Sequence, residues 1–333
     1  MTAPPGPVAV MGAGSVGCFV GGRLQAAGAE VHFIGRPRVL EDLRRFGLTL
    51  SDLERPTQTL AATQLQLHDR PLPGAALVLL CVKSGATAEA AVQLGAALPA
   101  GTPVLSLQNG VANAERAAQS APALLWLPGM VPFNVAETGP GCFHRGTSGQ
   151  LAAQEHPALR PWLPLFASAG LPLQLHANLR PVQWAKLLLN LNNPVNALSG
   201  LPLRAQLLDR NCCTVLAALQ DEALAAMAAA GIEPARLTPL PPRLLPRVLR
   251  LPTWLFERVA ARMLRIDAQA RSSMADDLAR GRPTEIDALC GAVVRLARQH
   301  GLQAPHTQAL LQRLAAAQPQ TIGGKALRDE LGL

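Results

Sequence analysis

The chain has no tyrosine, and aromatic residues make up only 3% of its 333 positions. The missing tyrosine excludes the short-chain dehydrogenases, whose proton donor is a tyrosine. The net charge of +8 comes from scattered arginines without aromatic side chains between them, which argues against a nucleic-acid partner. The six cysteines form no C-x-x-C pair and no Cys/His cluster with zinc spacing, so we expect free thiols and no metal site.

Long apolar runs are also missing, since none reaches the roughly 18 residues that a membrane-spanning helix needs. The N-terminus lacks the basic region of a signal peptide. We therefore expect a cytoplasmic protein without a membrane partner. Hydrophobic residues at 49% and charged residues at 16% indicate a folded chain, and its length suits two domains.

A glycine-rich turn lies near the N-terminus, between an apolar run at residues 8–11 and an apolar stretch at 15–27. The pattern predicts a strand, a turn and a helix, and a second strand at 31–34 completes a β-α-β unit. In that context a G-x-G-x-x-G turn lets the backbone approach a pyrophosphate, so we expect dinucleotide binding, against the alternative of an ordinary glycine turn. The turn consists of Gly12, Ala13, Gly14, Ser15, Val16 and Gly17.

Further along, the pattern changes from alternating strands and helices to helices alone. Strands at 75–82 and 102–107 flank a helix at 87–98, which predicts a parallel sheet. Short apolar pieces between 126 and 175 predict additional strands. Helical periodicity then continues over 182–191, 207–230, 254–280 and 284–300. We expect an α/β Rossmann-type domain at residues 1–178, with a mainly parallel sheet, and an all-α domain at 179–333.

Arg36 stands where an NAD-binding enzyme usually has an acidic residue for the ribose hydroxyls, about twenty residues past the glycines. A guanidinium matches a 2′-phosphate, and a carboxylate would repel it. Arg36, with Arg38 close by, therefore predicts NADP (NADPH) as the cofactor. The alternative is two surface arginines in an arginine-rich chain.

Lysine is rare, because only three of the 30 basic residues are Lys. Where this chain uses Lys, the position needs a compact ammonium whose pKa can be tuned. Lys83 follows a sheet strand, and Lys186 lies in the first helix of the second domain. On one helix, Asn190 and Asn193 would share a face with Lys186. Such polar groups in an apolar stretch bind a ligand or form a structural network.

Another group of polar residues lies between residue 271 and residue 287. Within it, Ser273 and Asp277 share a helix face. Glu285 and Asp287 belong to a segment that resembles the start of a new helix, where acidic residues favour the helix dipole. Each of these two acids is therefore either a site residue or only a cap.

These motifs together resemble the ketopantoate reductase family (2-dehydropantoate 2-reductase), and they span nearly the whole chain. The resemblance implies NADPH-dependent reduction of 2-dehydropantoate to (R)-pantoate, in the pathway to pantothenate and coenzyme A. The matching segments are Gly12 to Gly17, Cys81-Val82-Lys83, Gln108-Asn109-Gly110, Lys186 with Asn190, and Ser272-Ser273-Met274 through Thr284-Glu285-Ile286-Asp287.

The resemblance also implies roles for individual residues. Lys186 corresponds to the general acid, and Glu285 to a partner of the substrate hydroxyl that also contacts the cofactor. Lys83 corresponds to a cofactor contact, and Asn109 to a contact with cofactor and substrate. A positioned ammonium suits this reaction, because hydride delivery builds negative charge on the ketone oxygen.

Ser273 and Asn190 correspond to further substrate contacts. The family's second asparagine corresponds to Asn193 or to Asn196, and helical phase favours Asn193. The expected partner is a small 2-oxo acid, and a homodimer is compatible with the sequence.

Three other functions remain as alternatives. The first is a paralogous reductase of another 2-oxo acid. The second is a β-hydroxyacid or glycerol-3-phosphate type of dehydrogenase, which has no support from residues 273–287. The third is a non-enzymatic NADP-sensing protein, for which the fold alone would suffice.

Overall fold

Strand β1 (Val8–Met11) consists of four apolar residues, all of them buried, and has a parallel neighbour on each side. Such a strand suits the middle of a sheet that is covered on both faces. The computed structural model describes residues 4–261, 270–316 and 320–333. The chain divides into two compact units, Met1–Leu179 and Arg180–Leu333.

The first unit contains two sheets. The other strands are β2 (Val31–Ile34), β3 (Leu48–Asp52), β4 (Gln58–Leu60), β5 (Gln66–His68), β6 (Leu77–Leu80), β7 (Pro103–Ser106), β8 (Leu125–Met130), β9 (Val135–Gly139), β10 (Cys142–Arg145), β11 (Leu151–Gln154) and β12 (Leu173–His176). Its helices are α1 (Ser15–Ala26), α2 (Pro37–Phe46), α3 (Thr87–Ala97), α4 (Asn113–Ser120) and α5 (Leu163–Ser168).

The larger sheet has the strand order β12-β11-β8-β7-β6-β1-β2-β5. All pairs from β5 through β8 are parallel, and only the β11–β8 pair is antiparallel. The chain reverses its direction across the sheet between β1 and β6. Ligands of open α/β sheets bind at the carboxyl ends of the strands at such a switch point.

The smaller sheet has the order β4-β3-β10-β9. The sequence prediction placed no strand between residues 47 and 75 and missed β3, β4 and β5. The alternation of Leu48 and Leu50 with polar residues was the available signal, since both leucines are fully buried.

The second unit is helical throughout its described part. Its helices are α6 (Arg180–Asn190), α7 (Asn192–Ser199), α8 (Leu203–Leu208), α9 (Arg210–Ala229), α10 (Leu245–Leu249), α11 (Thr253–Val259), α12 (Ser273–Ala279), α13 (Ala292–Gln299), α14 (Pro305–Ala315) and α15 (Gly323–Glu330). The predicted fold class, a mainly parallel Rossmann-type domain followed by an all-α domain, is confirmed.

Two segments that were predicted to be single long helices are each interrupted in the structure. The segment 207–230 is divided at Asp209, whose carboxylate accepts a hydrogen bond from the Cys212 N–H at 2.8 Å and caps α9. The segment 254–280 forms α11 and α12, while residues 262–269 lie outside the described part. Ala270 is not helical, and its carbonyl accepts a hydrogen bond from the Leu203 N–H at 2.8 Å.

Within the described ranges, α9 is the one helix whose length and composition would suit a membrane span. Most of its apolar window, 61%, is buried inside the protein, as is usual for a central helix of a helical domain.

Candidate active site

The glycine turn lies where β1 ends and α1 begins, against the carboxyl end of β6. Gly12 has φ +111°, and a Cβ there would lie 2.5 Å from the Val82 nitrogen and 2.7 Å from the Cys81 carbonyl carbon. Both are backbone atoms of the neighbouring segment, which cannot move aside cheaply. Gly12 therefore serves the close approach of two chain segments.

The middle glycine of the turn has different surroundings. Gly14 is exposed, and a Cβ built on it has no heavy atom within 4 Å. Gly14 is also the N-cap residue of α1, where no side chain accepts a hydrogen bond from the first helical turn. The helix therefore presents backbone N–H groups and the positive end of its dipole over open space.

Arg36 follows β2 and is the N-cap residue of α2, with Pro37 in the first helical turn. Its side chain is exposed, and within the described part of the chain it forms no ion pair. Arg38, the other arginine of this loop, pairs with Asp42 at 3.4 Å and with Glu137 at 3.8 Å. Arg36 rather than Arg38 is thus the guanidinium available for an anion beside the glycine turn.

Lys83 and Asn109 lie in the loops that follow β6 and β7, two neighbouring strands of the sheet. Lys83 is exposed and Asn109 is half-buried. Cys81, also in the first of these loops, has its thiol pKa raised to about 12 by burial. That thiol stays protonated at neutral pH and is not a nucleophile.

A buried hydrogen-bond network lies behind these two loops, and the sequence analysis did not find it. The Gln108 side-chain amide donates to the Val82 carbonyl at 2.9 Å and to the Thr87 hydroxyl at 2.8 Å. The Thr87 hydroxyl donates to the Ser84 carbonyl at 2.9 Å. The Ser84 hydroxyl donates to the Asn109 carbonyl at 3.2 Å. The only sequence signal was Gln108 within the Gln-Asn-Gly motif.

In the second unit, Lys186 lies in the interior of α6, in an apolar run of which Ala185 and Leu187 are buried. Lys186 itself is partly buried, and its removal from water lowers its pKa from the ordinary 10.5 of a lysine to about 8. Such an ammonium is mostly charged at neutral pH and yet releases its proton far more readily than a surface lysine.

Asn190 and Asn193 do not belong to the same helix, so the prediction of a single face holds only for Lys186 and Asn190. The helix ends at Asn190, and a new one begins at Asn192. Pro194 explains the interruption, because it has no N–H for the Asn190 carbonyl four residues back and its ring crowds that carbonyl.

The structure distinguishes the two asparagines that the sequence left as alternatives. Asn196 is fully buried, and its side chain is occupied by backbone groups: it donates to the Leu201 carbonyl at 2.8 Å and accepts from the Ser272 N–H at 2.9 Å. Asn196 therefore holds α7 to the start of α12. Asn193 is partly exposed.

Ser272 and Ser273 have separate tasks at the start of α12. Ser272 is buried, accepts a hydrogen bond from the Ala275 N–H at 3.1 Å and donates to the Asn193 carbonyl at 3.3 Å. It is the helix cap. Ser273 is exposed, whereas Asp277, one turn later, is buried. Because α12 packs on α7, Ser273 lies near Asn193, although the two residues are far apart in the sequence.

Glu285 is half-buried and lies two residues before a π-helical segment, Asp287–Gly291, that leads into α13. Asp287 forms an ion pair with Arg295 at 2.6 Å, and Arg295 also donates to the Asp287 carbonyl at 2.9 Å. Of the two acids that could be helix caps, Asp287 is thus engaged by its own helix. Local π-helical turns are frequent at functional sites. Among the described residues, no group of three or more His, Cys, Asp or Glu side chains could hold a metal ion.

These features define a Rossmann-type chain with a helical second unit. Two family models match it: ketopantoate reductase PanE/ApbA over residues 8–158, and its C-terminal model over residues 178–318. The chain belongs to the ketopantoate reductase family and is an oxidoreductase that acts on a ketone or the corresponding CH–OH group.

Individual relatives agree with this assignment. A 2-dehydropantoate 2-reductase of Halobacterium salinarum is 31% identical over 327 residues, which are 92% of this chain and 98% of that protein. A solved PanE/ApbA family ketopantoate reductase of Ralstonia eutropha is 30% identical, covers 98% of this chain and 100% of its own, and superposes with a TM-score of 0.78. D-mandelate dehydrogenase, solved with NADH and anilino(oxo)acetate, shares the fold at a TM-score of 0.76 and 19% identity, with coverage of 98% and 100%.

Proposed function

We propose that this chain reduces 2-dehydropantoate to (R)-pantoate with NADPH, as a step toward pantothenate and coenzyme A. Residues 1–178 hold the cofactor, and residues 179–333 hold the substrate and the proton donor. The observation that carries the proposal is the partly buried Lys186, whose pKa of about 8 suits a general acid at neutral pH.

The residues of the first unit fit a dinucleotide. The open space over Gly14 and the uncapped N-terminus of α1 match a pyrophosphate, which accepts hydrogen bonds from backbone N–H groups. The exposed Arg36 guanidinium matches the 2′-phosphate that distinguishes NADP from NAD. Lys83 and Asn109, in the loops that follow β6 and β7, contact the cofactor from the other side of the switch point.

The residues of the second unit supply the proton and orient the substrate. When bound, NADPH supplies the hydride. As negative charge develops on the ketone oxygen, the Lys186 ammonium stabilises it and donates a proton from Nζ. The amides of Asn190 and Asn193, together with the Ser273 hydroxyl, orient the anionic 2-oxo acid, and Glu285 accepts a hydrogen bond from its terminal hydroxyl.

A panel of 2-oxo acids tests both the reaction and the substrate. The purified full-length chain is assayed by NADPH oxidation with 2-dehydropantoate, with phenylglyoxylate and with trimethylpyruvate, which lacks only the terminal hydroxyl of 2-dehydropantoate. A site built to bind that hydroxyl should prefer 2-dehydropantoate over trimethylpyruvate by about 10²-fold or more in kcat/KM.

The same panel separates the alternatives. A higher kcat/KM with another 2-oxo acid would assign the chain to a paralogous reductase. Tight NADPH binding without turnover of any acid would favour an NADP-sensing protein instead. In the Glu285→Gln variant the preference for 2-dehydropantoate should shrink, whereas the ratio between the other two acids should stay constant.

A further inference from the structure

The Gln108 side chain links two loops that are far apart in sequence. It is buried, and both N–H groups of its amide are used, one on the Val82 carbonyl and one on the Thr87 hydroxyl. Its carbonyl oxygen accepts a hydrogen bond from the Ser106 hydroxyl at 3.0 Å. Amide groups that are buried with this degree of satisfaction fix one side-chain orientation.

The links continue into a closed circuit. The Thr87 hydroxyl, which is fully buried, accepts the hydrogen bond from Gln108 and donates to the Ser84 carbonyl. The Ser84 hydroxyl in turn donates to the Asn109 carbonyl, which lies in the second loop. That same carbonyl also accepts from the Asn113 side chain at 2.6 Å. The circuit therefore starts beside Asn109 in one loop, passes through the other loop and ends on the Asn109 backbone.

The circuit lies directly beside two residues of the candidate site, Lys83 and Asn109. Val82 and Ser84, the two neighbours of Lys83 in the sequence, are both held by it, and so are Gln108 and the backbone of Asn109. Lys83 and Asn109 are the residues that the proposed function assigns to the cofactor. Neither belongs to a strand or an α-helix. The Lys83 carbonyl accepts a hydrogen bond from the Ala86 N–H at 2.8 Å, and the hydrogen bonds of the circuit add further restraints on the backbones of both loops.

We propose that Gln108 and Thr87 are positioning residues, which set the distance between Lys83 and Asn109 for cofactor binding without touching the cofactor themselves. This inference rests on the proposed function. Displacements of the order of 1 Å at a positioning group can cost about 10²-fold in rate, so a loosened circuit should be detectable in the kinetics.

The chain offers a matched control for a purely structural role. Thr102 is also buried, and its hydroxyl donates to the carbonyl three residues back, that of Pro99, at 2.8 Å. Thr87 makes the same kind of bond to Ser84 at 2.9 Å. Thr102 lies just before β7, at the opposite end of that strand from Gln108. Valine at either position removes one buried hydroxyl and keeps the side-chain shape.

The experiment compares Thr87→Val, Thr87→Ser and Thr102→Val in the full-length chain. The measurements are the Kd for NADPH by fluorescence titration, kcat and KM for both substrates, and the melting temperature. Thr87→Val should weaken NADPH binding or kcat/KM by about 3- to 10-fold, the value of one or two buried hydrogen bonds. Thr87→Ser keeps the hydroxyl and should restore wild-type kinetics, and Thr102→Val should lower the melting temperature alone.

Double variants identify the route of the effect. If Thr87 acts through the two loops, Thr87→Val should cause a smaller loss of NADPH affinity in the Asn109→Ala or Lys83→Ala background than it causes alone. The reason is that the effects of neighbouring groups in one network are not additive. Full additivity, or equal kinetic losses in Thr87→Val and Thr102→Val, would overturn the positioning role. Should Thr87→Val not fold, Gln108→Met is measured in its place with the same expectations.

Failure of the proposed function has a different signature. If Lys83→Ala and Asn109→Ala both leave NADPH affinity and turnover at wild-type values, the cofactor assignment fails, and the positioning role fails with it. If those two variants lose affinity while Thr87→Val and Gln108→Met do not, only the positioning role is refuted.

Discussion

Lys186 gives the sharpest prediction, because one residue determines both a rate and a stability with opposite signs. Its pKa of about 8 means that about nine-tenths of the ammonium is protonated at pH 7. As the proton donor, it should hold kcat/KM, which reports the pKa values of the free enzyme, level below pH 8 and let it fall about tenfold per pH unit above that value. Lys186→Arg keeps the charge but cannot release a proton, so kcat should fall by about 10²–10⁴.

Stability should change in the other direction. The folded protein holds Lys186 with a pKa of about 8, and the unfolded chain holds it at an ordinary 10.5. Below pH 8 both states bind the proton, and the folded state bears the full burial cost of the charge, at most about 3 kcal/mol. Between pH 8 and 10.5 the unfolded state binds more protons, so the free energy of unfolding rises with pH. Lys186→Met should therefore be more stable than the wild type at pH 7, and the gain should disappear by about pH 10.5.

The assay is a pH series of kcat and kcat/KM together with chemical denaturation of wild type, Lys186→Met and Lys186→Arg. Lys325→Met is the control, because Lys325 is exposed on α15 and should change neither quantity. A Lys186→Met variant that unfolds more easily at pH 7 and keeps near-normal turnover would refute the reasoning. So would an alkaline fall of kcat/KM that persists unchanged in Lys186→Arg.

Three further predictions concern the cofactor site and the helical unit. Arg36→Ala should weaken NADPH binding by about tenfold, the value of one charge-assisted hydrogen bond, and leave NADH nearly unchanged, and equal losses in Kd for both would contradict the 2′-phosphate role. Gly12→Ala should lower the free energy of unfolding by about 1–3 kcal/mol, because its φ is positive and the space beside it is filled. Gly14→Ala should keep the melting temperature and lose NADPH affinity. Calorimetry and NADPH titration of both variants test this, and an unchanged NADPH affinity in Gly14→Ala would show that the turn holds no ligand. Glu222 accepts hydrogen bonds from two backbone N–H groups at the start of α14, at 2.9 and 2.8 Å, and from the Thr307 hydroxyl at 2.6 Å, so Glu222→Ala should cost about 1.5–3 kcal/mol by denaturation with turnover per folded molecule unchanged.

Local pattern was sufficient for much of the first unit. The strand Val8–Met11, the glycine turn and the strand Val31–Ile34 were predicted at their observed bounds. Apolar runs and glycine turns are short-range signals, because a buried strand needs apolar residues in sequence and a tight turn needs glycine in place. In the small sheet, β3 and β4 were missed although Leu48 and Leu50 alternate with polar residues. The pairing of β3 with β10, about ninety residues further along the chain, could not be predicted, because no local pattern encodes such a pairing.

In the second unit, the sequence by itself determined that Lys186 and Asn190 share a helix face and that polar residues collect near Ser273. Only the tertiary structure showed that the two asparagines differ in their surroundings. Asn193 and Asn196 are equally polar in the sequence, but the packing of α12 on α7 commits Asn196 to the backbone at Ser272. The pKa of Lys186 was likewise decided by burial in the folded chain, because the cost of removing a charge from water depends on which atoms surround it.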